Sequence, residues 1–331
     1  MSTLNKIRVR GVGSYLPGTR ITNHYLSKIV DTNDEWIQQR TGIKERRFAA
    51  EWEATSDLCA AAGERALADA GMDKGAVELL LVASCSPDHL IANTASIVQQ
   101  KMGLNPVAGY EINAACSGFL NAFITASQFL RTGAYRTALV IGGEALSKIL
   151  NMTDRGTCII FGDGAGAAVL EAHAGPDASD LCSFSMGQDG TGSPMLLMPA
   201  GGSRKPATHE TVEKHEHTIH MHGREIYKFA VRTMSDLLEK ELARNQWRAE
   251  DVALVIPHQV NLRILESASE KTGIPLDRML INIDKYGNTS AGSVPIALDE
   301  AVKAGRIRRG DKVVFVAFGA GLTWSAMSLI W

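Results

Sequence analysis

The 331-residue sequence contains no apolar stretch approaching the ~18–20 residues that a membrane-spanning helix needs. Its opening, MSTLNKIRVRGVG, has no apolar core of the secretion-signal kind and runs straight into a strand-like segment. No CxxC occurs, and the five cysteines, Cys59, Cys85, Cys116, Cys158 and Cys182, are odd in number and irregularly spaced. That disfavours a disulfide framework or a zinc knuckle, and a reducing cytoplasm is the expected setting. There is no large excess of either charge: 34 Lys and Arg stand against 36 Asp and Glu. This balance speaks against nucleic-acid and membrane-surface partners, so any basic docking patch must be local. Apolar residues are plentiful at 45%, enough for one large α/β domain or two fused halves.

Short apolar runs alternate with amphipathic segments throughout. VELLLVASCS, TALVIGGEA, DVALVIPHQ and KVVFVAFGAG read as strands covered on both faces. SDLCAAAGERALADAG, ANTASIVQQKMG, REIYKFAVRTMSDLLEKELARNQ and SVPIALDEAVKAG read as helices, so the pattern is α/β. The two parts of the chain echo each other. NAACSGFLNAFITASQFLRTGAYRTALVIGGE and YGNTSAGSVPIALDEAVKAGRIRRGDKVVFVAFGAG both run turn, small residues, helix, glycine, basic turn, buried strand. The spacing from Cys85 to Cys116 nearly equals that from His258 to Asn288. A duplicated unit about a pseudo-twofold axis follows, with Asn288 expected at the place matching Cys116. Ligands of open α/β sheets bind beyond the carboxyl ends of strands. Cys116, His258 and Asn288 can therefore meet in one cleft.

The segment NAACSGF places Cys116 between VAGYEINAA, which reads as a buried strand, and GFLNAFITASQFLRTG, which reads as a helix. Backbone N–H groups and the helix dipole favour a thiolate there, and a lowered pKa is expected. The alternative is a small buried apolar residue. Likewise His258, after Pro257 at a strand end, reads either as a structural histidine or as a site residue. Asn288 reads either as turn chemistry or as a hydrogen-bond donor. FVAFGAGLTW adds a glycine-bounded loop able to bring backbone N–H groups to a ligand. Together these groups suit acyl-thioester chemistry.

NDEWIQQRTGIKERR, NAACSGF, FGDGAGAAVLE, PHQVNLRI, YGNTSAGSVPIAL and FGAGLTW, in this order along nearly the whole chain, resemble β-ketoacyl-acyl-carrier-protein synthase III of the thiolase-fold superfamily. The resemblance implies a five-layered α-β-α-β-α fold with thiolase-like halves at 1–175 and 176–331. It implies a homodimer that starts type II fatty acid synthesis. Cys116 would take an acyl group from acyl-coenzyme A, with the N–H groups of Cys116 and Ala320 as oxyanion hole. His258 and Asn288 would then assist decarboxylative condensation with malonyl-acyl carrier protein, with no metal or other cofactor. Trp36 and Arg155 match the adenine sandwich, Thr32 and Arg40 base and phosphate contacts, and Gly223, Tyr227 and Asn261 the pantetheine tunnel. Lys228, Arg263 and Lys271 match basic positions for carrier docking, and Ile91 a position near the acyl chain, partly across the dimer.

Some residues depart from the family pattern. Ala320 stands where some relatives have glycine, and Ser325 often has a glycine counterpart. In SPDHLIANTAS, Ala92 and Asn93 follow Ile91 where relatives usually carry proline, which leaves the starter acyl group open. HETVEKHEHTIHMH holds five of the nine histidines without a matching carboxylate or cysteine ligand spacing, and reads as a polar loop and edge strand rather than a metal site. GDGAGA leads into the alternating AGAAVLEA, a strand, which excludes a dinucleotide fingerprint. Two rival readings remain: a synthase III-like acyltransferase or condensing enzyme of a specialised, polyketide-type pathway, and a non-catalytic carrier-binding scaffold.

Overall fold

The computed structural model describes residues 4–173, 175 and 179–331. Nine strands form two sheets: β1 Lys6–Tyr15, β2 Leu79–Ala83, β3 Ala108–Ile112, β4 Thr137–Glu144, β5 Gly164–His173, β6 Asp180–Gln188, β7 Leu254–Pro257, β8 Lys312–Gly319 and β9 Thr323–Ile330. The first sheet runs β1-β5-β4-β2-β3 and the second β7-β8-β9-β6. Among the described residues seven helices of eight or more residues accompany them: α1 Asp34–Thr41, α2 Thr55–Ala70, α3 Thr94–Met102, α4 Gly118–Arg131, α5 Gly223–Asn245, α6 Leu262–Thr272 and α7 Ser293–Lys303. The expected boundary at 175/176 falls at residues 174 and 176–178, which lie outside the described residues.

Alternation along the central strands builds five layers. Leu79, Leu81 and Ala83 of β2 point inward onto α4 and α7, and Leu254, Ile256, Val313 and Phe315 of the second sheet face the same two helices. Leu80 and Val82 point the other way, onto α2 and α3. Val255, Val314 and Val316 pack outward onto α5 and α6. Both faces of the inner strands are thus dry, which is why their sequences read as continuous apolar runs.

The duplication is visible residue by residue. A constant shift of 175 carries Leu79 to Leu254 and Thr137 to Lys312, the first residues of β2, β7, β4 and β8. The parallel pairing is carried over too: Leu79 faces Ala138, and Leu254 faces Val313. The counterpart of β3 is reduced to a single bridge between Val255 and Met279. β3 itself is an exposed edge strand, with Tyr110 38% exposed, not the buried strand its sequence suggests. The GDGAGA segment does enter a strand, β5. The histidine-rich segment contains a short helix, His209–Glu213, besides the two-residue strand His220–Met221. Its rings bond the chain: His217 Nε2 to Thr211 Oγ1 at 2.9 Å and His220 Nε2 to the His215 carbonyl at 3.1 Å. Among the described residues no cluster of three His, Cys, Asp or Glu could hold a metal, and no helix is long and apolar enough to cross a membrane.

The halves come into tight backbone contact beneath the site. A Cβ on Gly142 of β4 would lie 2.3 Å from the Ala291 carbonyl oxygen. Glycine there lets the turn after Asn288 press against the first sheet.

Candidate active site

Cys116 lies in a 3-10 turn, Ala115–Ser117, between β3 and α4. Ala115 has φ +46°, a left-handed conformation that costs a non-glycine residue about 1–3 kcal/mol. The other half repeats the device. Ser290 also has φ +46° and opens the turn Ser290–Gly292 before α7. In each half an asparagine two residues earlier secures the turn: Asn113 Oδ1 accepts from the Ala115 N–H at 3.4 Å, and Asn288 Oδ1 from the Ser290 N–H at 2.8 Å. The shift of 175 therefore matches Asn288 to Asn113 and Cys116 to Ala291, correcting the equivalence drawn from spacing. His258 matches Ala83, not Cys85. The duplicated backbone is symmetric, but the chemistry is not, because each half supplies groups the other lacks.

The three residues nevertheless converge. Cys116, His258 and Asn288 line one cavity of about 630 Å³, mouth included, walled mainly by apolar side chains such as Ile160, Phe161, Ile226, Phe229 and Phe318. Gly223, Tyr227 and Asn261 line it as well. Gly319 brings the second half against the cysteine, where an added Cβ would lie 2.6 Å from the Cys116 nitrogen. Ala320 opens the 3-10 turn Ala320–Leu322. The Cys116 and Ala320 N–H groups both lie in the first turn of a short helix, where N–H groups lack intrahelical acceptors.

The hydrogen-bond partners of His258 and Asn288 fix what they can offer. Asn288 spends Oδ1 on the Ser290 N–H, which leaves Nδ2, a donor, to the cavity. His258 is fully buried, and burial lowers its pKa to about 3, so the ring is neutral. Its Nδ1 lies 2.6 Å from Ser293 Oγ, while Nε2 is buried with no partner among the described residues. When the Ser293 hydroxyl donates to Nδ1, the ring proton resides on Nε2. Phe318 packs edge-on against the ring at 5.8 Å. Sequence reading passed over Ser293 because a serine at the start of a helix ordinarily signals a cap. Ser293→Ala should slow condensation about tenfold, the worth of one hydrogen bond, while leaving acyl loading of Cys116 unchanged. Single-turnover measurement of the two steps checks this, and an equal fall in both would remove Ser293 from the role.

The expected low thiol pKa is not found. Burial pushes the Cys116 thiol up to about 12, and the Glu144 carboxylate adds to this; a hydrogen bond from Ser290 pulls the other way. Cys116 is only 7% exposed, and taking a thiolate out of water outweighs the start of one helix.

The other expected positions divide. Trp36, in α1, has the Arg155 guanidinium 5.0 Å and that of Arg40 5.6 Å from its ring centre. Arg155 also donates to the Asp31 carbonyl at 2.7 Å. Thr32 Oγ1 is buried with no hydrogen-bond partner among the described residues. Asn261 caps α6 and donates to the Arg40 carbonyl at 2.8 Å, tying this surface to the cavity. Lys228 and Lys271 line a shallow groove with Arg232, and Tyr227 borders both groove and cavity. Lys271 is already paired with Asp236 at 2.9 Å and Glu239 at 3.7 Å. Arg263 is exposed in the first turn of α6. Ile91 is 98% exposed and does not line its own chain's cavity. Ser325 is buried and donates to Asn121 Oδ1.

Two family models match the chain: 3-oxoacyl-[acyl-carrier-protein] synthase III over residues 110–190 and its C-terminal counterpart over 242–331. A β-ketoacyl-[acyl-carrier-protein] synthase III of Caldanaerobacter subterraneus subsp. tengcongensis is 50% identical over 323 residues, 98% of this chain and 97% of the relative. One from Desulfitobacterium hafniense is 48% identical over 325 residues, 98% of each chain. The crystal structure of the Aquifex aeolicus synthase III is 41% identical and superposes with TM-score 0.89, covering 99% of this chain and 100% of that one. The priming β-ketosynthase of the R1128 polyketide pathway is 30% identical with TM-score 0.90, covering 100% and 97%. With the duplicated five-layer fold and a cysteine, histidine and asparagine in one cavity, the chain belongs to the 3-oxoacyl-[acyl-carrier-protein] synthase III family.

Proposed function

We infer that this protein starts fatty acid chains: it takes an acyl group from acyl-coenzyme A onto Cys116 and condenses it with malonyl-acyl carrier protein. The products are 3-oxoacyl-acyl carrier protein, coenzyme A and CO2. The observation that carries this reading is the meeting of Cys116, His258 and Asn288 in one apolar cavity bordered by Gly223, Tyr227 and Asn261. An apolar wall suits a bound thioester, which water would hydrolyse. Cys116 attacks the thioester carbonyl, and the N–H groups of Cys116 and Ala320 hold the oxyanion. Loss of CO2 from the malonyl group leaves an enolate, whose oxygen takes hydrogen bonds from His258 Nε2 and Asn288 Nδ2. Its carbon attacks acyl-Cys116. Both donors are neutral and set before charge develops, so they favour the transition state over the substrate, and the reading assigns no metal or other cofactor.

At the mouth, Trp36 and Arg155 would take the adenine between them, with Thr32 and Arg40 beside it. Arg155 lies over the Trp36 ring and must swing outward; it is half exposed and held only by Asp31, through its carbonyl at 2.7 Å and its carboxylate at 3.7 Å, which permits that. For the carrier protein, Lys228 and Arg263 are better placed than Lys271, whose charge two carboxylates already oppose. Arg232 joins them from the same groove. A cytoplasmic homodimer fits the reading: β3 offers an exposed edge, and Leu90 and Ile91 stand out at 79% and 98% exposure, ready to reach a second copy.

Likeness to the R1128 priming ketosynthase favours a second reading, in which the same three residues prime a specialised pathway with another acyl group. Reconstitution with acetyl-, isobutyryl- and octanoyl-coenzyme A and malonyl-acyl carrier protein tests both. Mass spectrometry should find one 3-oxoacyl-carrier product and its starter. Transfer of the acyl group without loss of CO2 would overturn the condensing assignment.

A further inference from the structure

Acyl loading must move a proton off Cys116, and the cavity offers no evident base for it. His258 is neutral, with Nδ1 engaged by Ser293, and as a donor to the enolate it must keep its proton on Nε2. Behind Cys116, at the carboxyl end of β4, lies a carboxylate that the mechanism above leaves unused. Glu144 is fully buried. Its partners among the described residues are five donors and no cation: Ser84 Oγ at 2.9 Å, Cys85 N–H at 3.1 Å, Cys85 Sγ at 3.3 Å, Ser86 N–H at 3.0 Å and Ser86 Oγ at 2.5 Å. The Cys85 thiol in turn lies 3.7 Å from Ser290 Oγ. Ser290 occupies the turn packed against that of Cys116, and its hydroxyl lies close enough to the Cys116 sulfur to lower the thiol's pKa. Carboxylate, thiol and hydroxyl are thus bonded in series, Glu144 to Cys85 to Ser290, and the series ends beside the Cys116 sulfur.

We propose that Glu144 stores the Cys116 proton between the two half-reactions, receiving and returning it through the Ser290 hydroxyl and the Cys85 thiol. This rests on the condensing activity inferred above. In loading, the Cys116 sulfur bonds to the acyl carbon and the carbon–sulfur bond to coenzyme A breaks. The Cys116 proton passes to Ser290, that of Ser290 to Cys85, and that of Cys85 to Glu144. Coenzyme A leaves as the thiolate and takes a proton from water. In condensation, the malonyl carboxylate leaves as CO2, its electron pair forms the new carbon–carbon bond, and the Cys116 thiolate is expelled. The chain then runs backward, Cys116 regains its proton, and Glu144 is again an anion. Charge and protons balance over the cycle. Burial without a cation raises the Glu144 pKa, as a group that must hold a proton requires. The serine hydroxyl and the second thiol gain a reason to lie in line.

The test uses the whole protein and whichever of acetyl-, isobutyryl- and octanoyl-coenzyme A loads wild type fastest. Cys85→Ala should slow single-turnover loading about a hundredfold, the lower range of general-base effects, whereas Cys85→Ser restores most of the rate. Ser290→Ala should match Cys85→Ala; Ala115 already holds the same φ in the other half, so alanine is sterically acceptable there. Decarboxylation of malonyl-acyl carrier protein, which needs only His258 and Asn288, should not change with Cys85→Ala. The infrared difference spectrum of acylated minus free wild type should contain a protonated carboxyl band that Glu144→Gln removes. Wild-type loading kinetics in Cys85→Ala, equal slowing in the Ala and Ser variants, or a missing band would each overturn the relay. Failure of wild type to load Cys116 would instead overturn the condensing activity and the relay with it.

Discussion

Replacing Cys116 with alanine should abolish the acyl adduct and lower condensation by about four orders of magnitude or more, the usual result of deleting a covalent nucleophile. Intact-mass measurement after exposure to acyl-coenzyme A should show one added acyl group on wild type and none on the variant. Cys85 makes this a stringent test, because it is a second thiol nearby, 3.7 Å from Ser290 Oγ in the turn packed against that of Cys116. An adduct that survives Cys116→Ala, mapped to Cys85, would displace Cys116 as nucleophile. Malonyl-acyl carrier protein should still lose CO2 on the variant, since the enolate's two donors come from His258 and Asn288. That residual reaction also separates a missing nucleophile from a collapsed site. Cys116 lines the cavity and alanine removes only one atom there, so the fold should tolerate the change with little loss of stability.

Much of this site was legible in the sequence, because burial on both faces leaves a strong mark. The runs LLLVA and TALVIGGE could hardly be anything but inner strands, and two matching series of such runs imply two sheets. The convergence of Cys116, His258 and Asn288 followed from their places at strand ends. Finer correspondences did not follow. Spacing suggested Asn288 as the partner of Cys116, but the left-handed pair Ala115 and Ser290 sets the true register at Asn113 and Ala291. Turn geometry leaves no periodic signal when the residue is alanine or serine rather than glycine. The exposure of β3 depends on sheet order, a property of the assembled fold and not of AGYEI. The thiol pKa failed for a related reason: helix position is local and readable, but desolvation at Cys116 comes from residues hundreds of positions apart. Ser293, Cys85 and Glu144 were hidden likewise, each ordinary in its own segment.

His258→Ala and Asn288→Ala should each lower condensation by preloaded enzyme about a hundred- to a thousandfold, the size found when one oxyanion donor is removed. Acyl loading should change by less than about threefold, because loading uses backbone N–H groups for its oxyanion. The double variant should fall well short of the product of the two effects, since both donors serve the same oxygen. Protonation state sharpens the expectation for His258. Burial holds its pKa near 3, so between pH 7 and 5 the ring stays neutral, and the condensation step should show no inflection near 6.5 from this residue. The same depressed value has a stability consequence. Below about pH 6.5 the unfolded chain binds a proton that the folded ring refuses, so stability falls as pH drops from there toward 3. His258→Ala should flatten that part of the stability profile while slowing condensation at every pH. A variant that slows loading as much as condensation would show that His258 acts on Cys116 itself rather than on the enolate.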